Sequence, residues 1–167
     1  TQNNTQYSWT SQKITKAADA TKLRVTFMAT SNNEKPAGFP CVAIAEFYLY
    51  DKNGAPVTLT EANFSSNATH VGEGSIAALC DGVTTGAGDA YDWYWHSQWS
   101  GTPNPYGYHY LEVDLTKVPD GTDLSEFSFG WVTRRAQASP ADVIISTGAT
   151  TEQAAEVAAE EEWMNDP

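Results

Sequence analysis

The sequence is poor in basic residues, and this shortage limits the partners that the chain can bind. Nine Lys and Arg residues stand against 21 Asp and Glu residues in a chain of 167, which gives a formal net charge of -12 at pH 7. A surface of this charge repels polyanions at neutral pH. We therefore expect neither a nucleic acid nor an anionic membrane as a partner.

Cysteine is equally scarce, with only Cys41 and Cys80 in the chain. Both lie in apolar surroundings, FPCVAIA and IAALCDG, without a CxxC motif or a Cys/His spacing, which argues against a metal or redox site. Two buried free thiols are the simplest interpretation, and a single disulfide stays open. The chain also lacks a run of about 18 apolar residues, the length that a membrane-spanning helix needs.

Motifs of common enzyme classes are missing too. The sequence contains no nucleophile elbow, P-loop, glycine-rich dinucleotide turn or HExxH metal motif. A glycoside hydrolase needs two carboxylates across a cleft. The available acids resemble ordinary turn and strand-face residues: Asp89, Asp92, Glu112 and Asp114. We therefore predict a protein without catalytic activity.

What the sequence does contain is a series of short strands separated by Gly and Pro turns. KLRVTFMA (22–29) alternates apolar and polar residues, as half-buried strands do, whereas CVAIAEFYLY (41–50) is apolar on both faces. We expect these two strands to form a hairpin, and an Asn-Gly turn in DKNGAP to end the second. Further strands are predicted at 109–115, 126–133 and 142–147. The pattern predicts an all-β fold, an antiparallel β-sandwich.

Composition divides the chain into three segments. Residues 1–20 form an N-terminal lead-in whose Trp9 is expected to pack on the sandwich, residues 21–149 form the sandwich domain, and residues 150–167 form an acidic tail. The tail is predicted to be a short helix, because TTEQ matches a capping box and AAEVAAEEEW is rich in helix formers. Since the chain begins at Thr1 without an initiator Met, we expect a piece of a larger multidomain protein.

The segment YDWYWHSQWSGTPNPYGYHY (91–110) holds eight Trp and Tyr residues in twenty positions. The last rings fit the alternating strand that follows, but the Gly and Pro residues place others in or beside a loop. Flat aromatic faces near His, Gln, Asn and Arg suit a sugar, whose C–H face stacks on a ring and whose hydroxyls need polar partners. We expect at least one of Trp93, Trp95 and Trp99 to contact a ligand.

The order CDGVTT, YWHSQWSG, HYLEVDL, FSFGWVTRR and ADVIISTG resembles that of the discoidin or coagulation-factor type C domain. Within that superfamily the chain is similar to family 32 carbohydrate-binding modules over roughly residues 64–148. The resemblance implies a galactose-binding-domain-like jelly roll that is secreted or displayed on the cell surface. It also implies a glycan partner, commonly a galactose-type or N-acetylated sugar, bound by loops at one end of the sandwich.

Matched residue by residue, this resemblance implies a sugar site made of His96, Trp99 and Arg134, with Trp95 as the family's buried tryptophan. In such a site Trp99 stacks on a sugar face and His96 bonds a hydroxyl. The Arg134 guanidinium offers its fork to two oxygens.

Two further polar residues are candidates for the same site, Gln98 within the loop motif and His70 at the rim. The predicted function is that of a non-catalytic carbohydrate-binding module. An exposed aromatic patch also serves as a protein hot spot, so a protein-binding adhesion module stays open. A structural spacer domain without a sugar site stays open as well.

Many members of this family hold a structural calcium ion, Ca2+, and the resemblance implies one here. Its matching ligands are the carboxylates of Asp81 and Glu46 and the carbonyls of Val83 and Ala45. From the residues alone, an acid inside CVAIAEFYLY is costly to bury unpaired, so a cation, an Arg partner or exposure must account for Glu46. The segment between DG and the loop motif is longer than usual in the family, which allows the ligands after Asp81 to shift, with Asp89 or Asp92 entering.

The order of the strands departs from the family pattern. KLRVTFMATSNN and VAIAEFYLYDKNG resemble the family's closing strands, which normally lie at the C-terminal end but here come first. We therefore predict a circularly permuted domain, a rearrangement that is tolerable because jelly-roll termini lie close together at the surface. The alternative is that this N-terminal segment ends a preceding domain.

Overall fold

The structure is a computed structural model of the chain. It describes residues 8–30, 41–70, 72–86, 91–98, 108–134 and 139–147. These ranges form nine strands: β1 (Ser8–Thr10), β2 (Ile14–Thr15), β3 (Lys22–Thr30), β4 (Ala43–Tyr50), β5 (Phe64–Ser66), β6 (Trp95–His96), β7 (Tyr110–Asp114), β8 (Glu126–Thr133) and β9 (Pro140–Ser146). Short 3₁₀ turns are found at Glu61–Asn63 and Ile76–Cys80.

The strands form two antiparallel sheets that pack face to face. The first sheet has the order β1-β8-β4-β6, and β2 also pairs with β8. The second sheet has the order β5-β7-β3-β9. The predicted all-β antiparallel sandwich is therefore confirmed. The predicted C-terminal helix lies outside the described residues.

The core lies between the two sheets and is built from alternate residues of their strands. Leu23, Val25 and Phe27 of β3 are fully buried, as the alternation in KLRVTFMA predicts. The Phe27 ring meets rings of the facing sheet, with its centroid 6.1 Å from that of Trp95 and 6.2 Å from that of Trp131. Each large apolar side chain buried in this way stabilises the fold by roughly 1.5–3 kcal/mol.

The predicted hairpin between residues 22–29 and 41–50 is wrong. β3 lies between β7 and β9 in one sheet, whereas β4 lies between β8 and β6 in the other. Tight hairpins need a connection of about 2–5 residues, and the connection between β3 and β4 is longer, so it allows the chain to cross to the other sheet. Both strands are inner strands, which makes the N-terminal segment an integral part of this sandwich.

The segment predicted as a lead-in also contributes to the first sheet. β1 and β2 both pair with β8. The Trp9 ring of β1 stacks on Trp131 with a centroid distance of 4.6 Å, although 39% of Trp9 is exposed. The predicted packing of Trp9 on the sandwich is confirmed.

Both cysteines are free thiols, Cys41 buried and Cys80 half-buried, so no disulfide joins them. Burial raises the pKa of the Cys80 thiol, and the nearby carboxylates of Glu46 and Asp81 raise it further. The thiol therefore stays protonated at neutral pH, which is the unreactive form. In the part of the chain that the structure describes, no helix is long and apolar enough to cross a membrane.

Candidate functional site

One end of the first sheet brings together two of the residues predicted for the sugar site. His96 of β6 pairs with Ala43 of β4. Arg134, directly after β8, donates its backbone N–H to the Ala43 carbonyl over 2.9 Å. Because β4 lies between β6 and β8, the two residues flank the beginning of β4.

The Arg134 side chain is held by an acid and an aromatic ring. Its Nη1 lies 3.2 Å from Oε1 of Glu73, and its Cζ lies 4.3 Å from the ring centroid of Tyr94. The Tyr94 hydroxyl donates to the same Glu73 oxygen over 2.8 Å. Side-chain exposure is 19% for Arg134 and 16% for Glu73, so the ion pair is partly shielded but reaches the surface. A charge-assisted bond and a cation–π contact thus fix the guanidinium together.

Glu73 owes its position to a tight turn between two glycines. Gly72 and Gly74 have φ values of +92° and +76°, a conformation that favours glycine. A Cβ atom on Gly74 would overlap the backbone carbonyl oxygen of Tyr94. The Ser75 N–H donates to that same carbonyl over 3.1 Å, which ties the turn to the aromatic segment.

Tyr94 connects the turn to the sheet below it. The residue is fully buried and packs against Ala43 and Ala45 of β4, with Trp93 at its side. Burial raises the pKa of Tyr94, and its hydrogen bond to Glu73 raises it further. The hydroxyl therefore stays protonated and acts as a permanent donor to the carboxylate.

His96 lies in the interior of this end of the sandwich, with only 4% of the residue exposed. Its Nδ1 lies 2.6 Å from the Ser97 carbonyl oxygen, and because a carbonyl can only accept, Nδ1 carries the proton. The ring is 6.0 Å from that of Tyr94, centroid to centroid. Of the two sheet-end residues, Arg134 is therefore the more accessible.

The pKa values of two buried histidines, His96 and His109, are lowered by their surroundings. The rings of His70 and His96 are 6.1 Å apart. Burial lowers the pKa of His96, although its bond to Ser97 opposes the change. Burial also lowers the pKa of His109 to about 4, with a smaller contribution from His96. His96 and His109 are consequently neutral at pH 7.

The two further polar candidates, His70 and Gln98, lie near His96 along two paired segments. His70 is half-buried, and its backbone N–H donates to the His96 carbonyl over 2.9 Å. Gln98 is also half-buried, and its backbone N–H donates to the Ala68 carbonyl over 2.6 Å. Both residues are thus near the predicted site.

The tryptophans of the loop motif divide into two cases. Trp95 is fully buried, and its Nε1–H donates to the Thr69 hydroxyl over 3.0 Å. The expected burial of Trp95 is confirmed, whereas its match to the family's buried tryptophan stays a prediction. Trp99, predicted to stack on a sugar, lies outside the described residues.

An exposed ring lies beside the ion pair. Tyr91 is 52% exposed, and the Arg134 Cζ atom lies 5.8 Å from its ring centroid. Sequence reasoning missed Tyr91, Tyr94 and Glu73 as site residues. The two tyrosines lie in the aromatic segment 91–110, and the signal for Glu73 is its place in the Gly-Glu-Gly turn.

The two carboxylates predicted to bind calcium meet at a second place, the turn around Gly82. Glu46 Oε2 accepts the Gly82 N–H over 2.8 Å, and Asp81 Oδ1 accepts the Val83 N–H over 2.8 Å. Burial raises the pKa of Glu46 to about 7, the Gly82 N–H opposes this, and the Asp81 carboxylate adds to it. A cation between the two acids would relieve their repulsion.

A β-bulge explains how an acid fits into the apolar run of β4. Ile44 pairs with Thr133 and Glu46 pairs with Val132, so Ala45 is an extra residue on this strand. Ile44 and Phe47 both belong to the core, and the bulge therefore turns Glu46 to the outer face of the sheet. There it is covered by the Gly82 turn, which leaves only 5% of Glu46 exposed.

The donor set around Gly82 fits a cation only if backbone oxygens take part. Within the described ranges, no group of three or more His, Cys, Asp or Glu side chains is placed to hold a metal ion. Two carboxylates with carbonyl oxygens are the hard ligands that calcium takes. Of the residues predicted to give a carbonyl, Ala45 is buried at the bulge and Val83 is 42% exposed.

Two of the acids weighed for glycoside hydrolysis have structural partners, namely Glu112 and Asp114. Glu112 forms ion pairs with Lys22 at 2.9 Å and with Arg24 at 3.0 Å. Asp114 accepts hydrogen bonds from the backbone N–H and the hydroxyl of Thr116. These contacts stabilise the second sheet and the turn after β7.

No family model matches the chain, and neither the curated proteins nor the solved structures contain a match. The resemblance to discoidin domains therefore stays a prediction from the motifs.

Proposed function

We propose that this chain is a non-catalytic carbohydrate-binding module. Its proposed sugar site consists of Tyr91, Arg134 and Glu73 at one end of the sandwich. The observation that carries the proposal is the exposed Tyr91 ring beside the fixed Arg134–Glu73 pair. The three side chains combine a flat apolar surface, a donor and an acceptor within one small area.

This combination matches the chemistry of a sugar. An aromatic face contacts the apolar C–H side of a pyranose ring, while each hydroxyl both donates and accepts hydrogen bonds. Arg134 supplies N–H donors and Glu73 supplies acceptor oxygens. In the proposal, the site is supported from beneath by His96 and at its rim by His70 and Gln98. Trp99 provides a second stacking ring.

The proposed ligand is a glycan, of the galactose-type or N-acetylated class that the resemblance implies. The proposed setting is extracellular, secreted or on a cell surface, within a larger multidomain protein. A shallow surface site binds a single sugar weakly, so neighbouring modules or a linked domain would raise the overall affinity through effective concentration.

We also propose that calcium binds at the Gly82 turn through Glu46 and Asp81, with carbonyl oxygens of Ala45 and Val83. The support is the convergence of two carboxylates, one of them buried. The ion would neutralise both carboxylates and hold the turn around Gly82 in place.

A glycan-array screen with and without calcium tests the function. We expect binding to one sugar class, and we expect Tyr91→Ala and Arg134→Gln to abolish it while the protein stays folded. Tyr50→Ala is the matched control, because Tyr50 is a half-buried ring at the opposite end of β4. The control should bind like the parent.

Two results would overturn the proposal. One is a folded protein that binds nothing across a broad array, which would favour protein adhesion or a structural spacer. The other is binding that Tyr50→Ala reduces as much as Tyr91→Ala does, since that would place the site elsewhere on the sandwich.

A further inference from the structure

The charge at the proposed sugar site is balanced within the protein itself. Glu73 Oε1 lies 3.2 Å from the Arg134 guanidinium and also accepts the Tyr94 hydroxyl. Both charged side chains are less than one-fifth exposed, so solvent screens their attraction only in part. The arginine therefore presents N–H donors to a ligand without presenting a net positive charge.

Among the described residues, the imidazole next to Tyr94 does not restore that charge. His96 is buried beside Tyr94 and is neutral at pH 7. The chain as a whole carries a formal charge of -12. An anionic ligand would thus approach a neutral pair within a negative protein.

The pair also favours hydroxyls on grounds of hydrogen bonding. Arg134 only donates and an ionised Glu73 only accepts. Two neighbouring hydroxyls of a sugar satisfy both groups, because each hydroxyl does both. A ligand carboxylate can only accept, so binding at Arg134 would place a second acid beside Glu73 with no donor between the two.

We propose that Glu73 is a specificity-determining residue that restricts the site to uncharged sugars and excludes sugars that carry a carboxylate. This inference rests on the proposed sugar site and names the ligand class for it. Without Glu73, the same arginine would be an unpaired cation with the geometry that recognises carboxylates.

Matched sugar pairs test the inference, because a hexose and its uronic acid differ only at C6. Three such pairs are titrated into the parent protein and into the Glu73→Gln variant: galactose with galacturonate, glucose with glucuronate, and mannose with mannuronate. We expect the parent to prefer the neutral member of the bound pair by about tenfold or more. Glu73→Gln keeps an acceptor for the Tyr94 hydroxyl and should shift this ratio toward the uronate by about tenfold.

Glu126→Gln is the control, since it removes the same charge at the opposite end of β8. It should leave the ratio unchanged. A second measurement needs no variant. Raising the NaCl concentration from about 20 mM to about 500 mM screens the repulsion between the uronate carboxylate and the protein, so the uronate should bind the parent better at high salt.

The outcomes separate the two proposals. If the parent binds a uronate as tightly as its neutral partner, the specificity inference is wrong although the sugar site stands. The same holds if Glu73→Gln leaves the ratio unchanged. If no sugar of the array or of the pairs binds the folded parent, the proposed function itself fails.

Discussion

His109 is a buried imidazole whose titration should make the fold sensitive to acid. Only 1% of the residue is exposed, and burial lowers its pKa from 6.5 to about 4. At pH values between 6.5 and about 4, the unfolded chain therefore binds a proton at this imidazole that the folded chain does not bind. Stability is fully present above pH 6.5 and falls as the pH drops toward 4.

We expect His109→Gln to reduce this acid sensitivity. Between pH 7 and pH 4.5 the parent should lose about 2 kcal/mol more of its unfolding free energy than the variant. Urea unfolding at the two pH values measures the difference, and other titrating groups cancel in the comparison. Equal losses in parent and variant would show that His109 has the same pKa in the folded protein as in the unfolded chain.

Single residues differ in how far the sequence reveals their roles. Arg134 and His96 were predicted because they match positions of the motifs that carry the resemblance. The sheet brings the two residues to one end. Glu73 was missed because its role depends on where the turn places it, and no periodic pattern marks a turn residue. Its contact with Arg134 joins residues that are distant in the sequence.

At the scale of elements, the turn between Gly72 and Gly74 is what presents Glu73. Both glycines have positive φ, but only Gly74 lies against Tyr94. Gly72 has open space around the position of a Cβ atom. The two positions therefore separate backbone strain from steric overlap.

We expect Gly72→Ala to cost about 1 kcal/mol of unfolding free energy, the price of a left-handed conformation. Gly74→Ala should cost roughly 1–3 kcal/mol more, because its Cβ displaces the turn from the Tyr94 carbonyl. Sugar affinity should fall only in Gly74→Ala. Equal effects of the two substitutions on stability and binding would mean that the turn does not rest on Tyr94.

The positions of these strands were predictable from their apolar patterns, whereas the partners of each strand in the sheets were not. The alternation in KLRVTFMA located β3, and the apolar run located β4. The hairpin expectation failed because local pattern does not say which sheet a strand joins. The bulge at Ala45 was equally hidden, since a single extra residue leaves no mark in an apolar run.

At the scale of the whole molecule, calcium binding at the Gly82 turn should stabilise the fold. An ion that binds only the folded state at one hundred times its dissociation constant adds about 2.7 kcal/mol. For a chain of this size that raises Tm by roughly 5–10 °C. Differential scanning calorimetry after chelation, with and without added calcium, measures the rise.

Variants identify the ligands of that ion. Glu46→Gln and Asp81→Asn should lose the calcium-dependent rise in Tm, whereas Asp120→Asn, an exposed acid in a distant turn, should keep it. In chelated buffer at pH 8, Glu46→Gln should be more stable than the parent, because it removes a buried charge beside Asp81. A parent whose Tm does not respond to calcium would remove the ion from the proposal.

The architecture as a whole was the most predictable level, because short alternating strands with Gly and Pro turns have few compact arrangements other than a sandwich. The central claim concerns what one end of that sandwich binds. Its most direct test is an NMR titration with the sugar that the array identifies, following the Arg134 Nε–H signal and the backbone amides of Glu73 and Tyr91. We predict that these signals shift together and saturate, while the Trp9 indole signal in β1 stays in place. Shifts that cluster around Trp9 and leave Arg134 unchanged would contradict the proposed site.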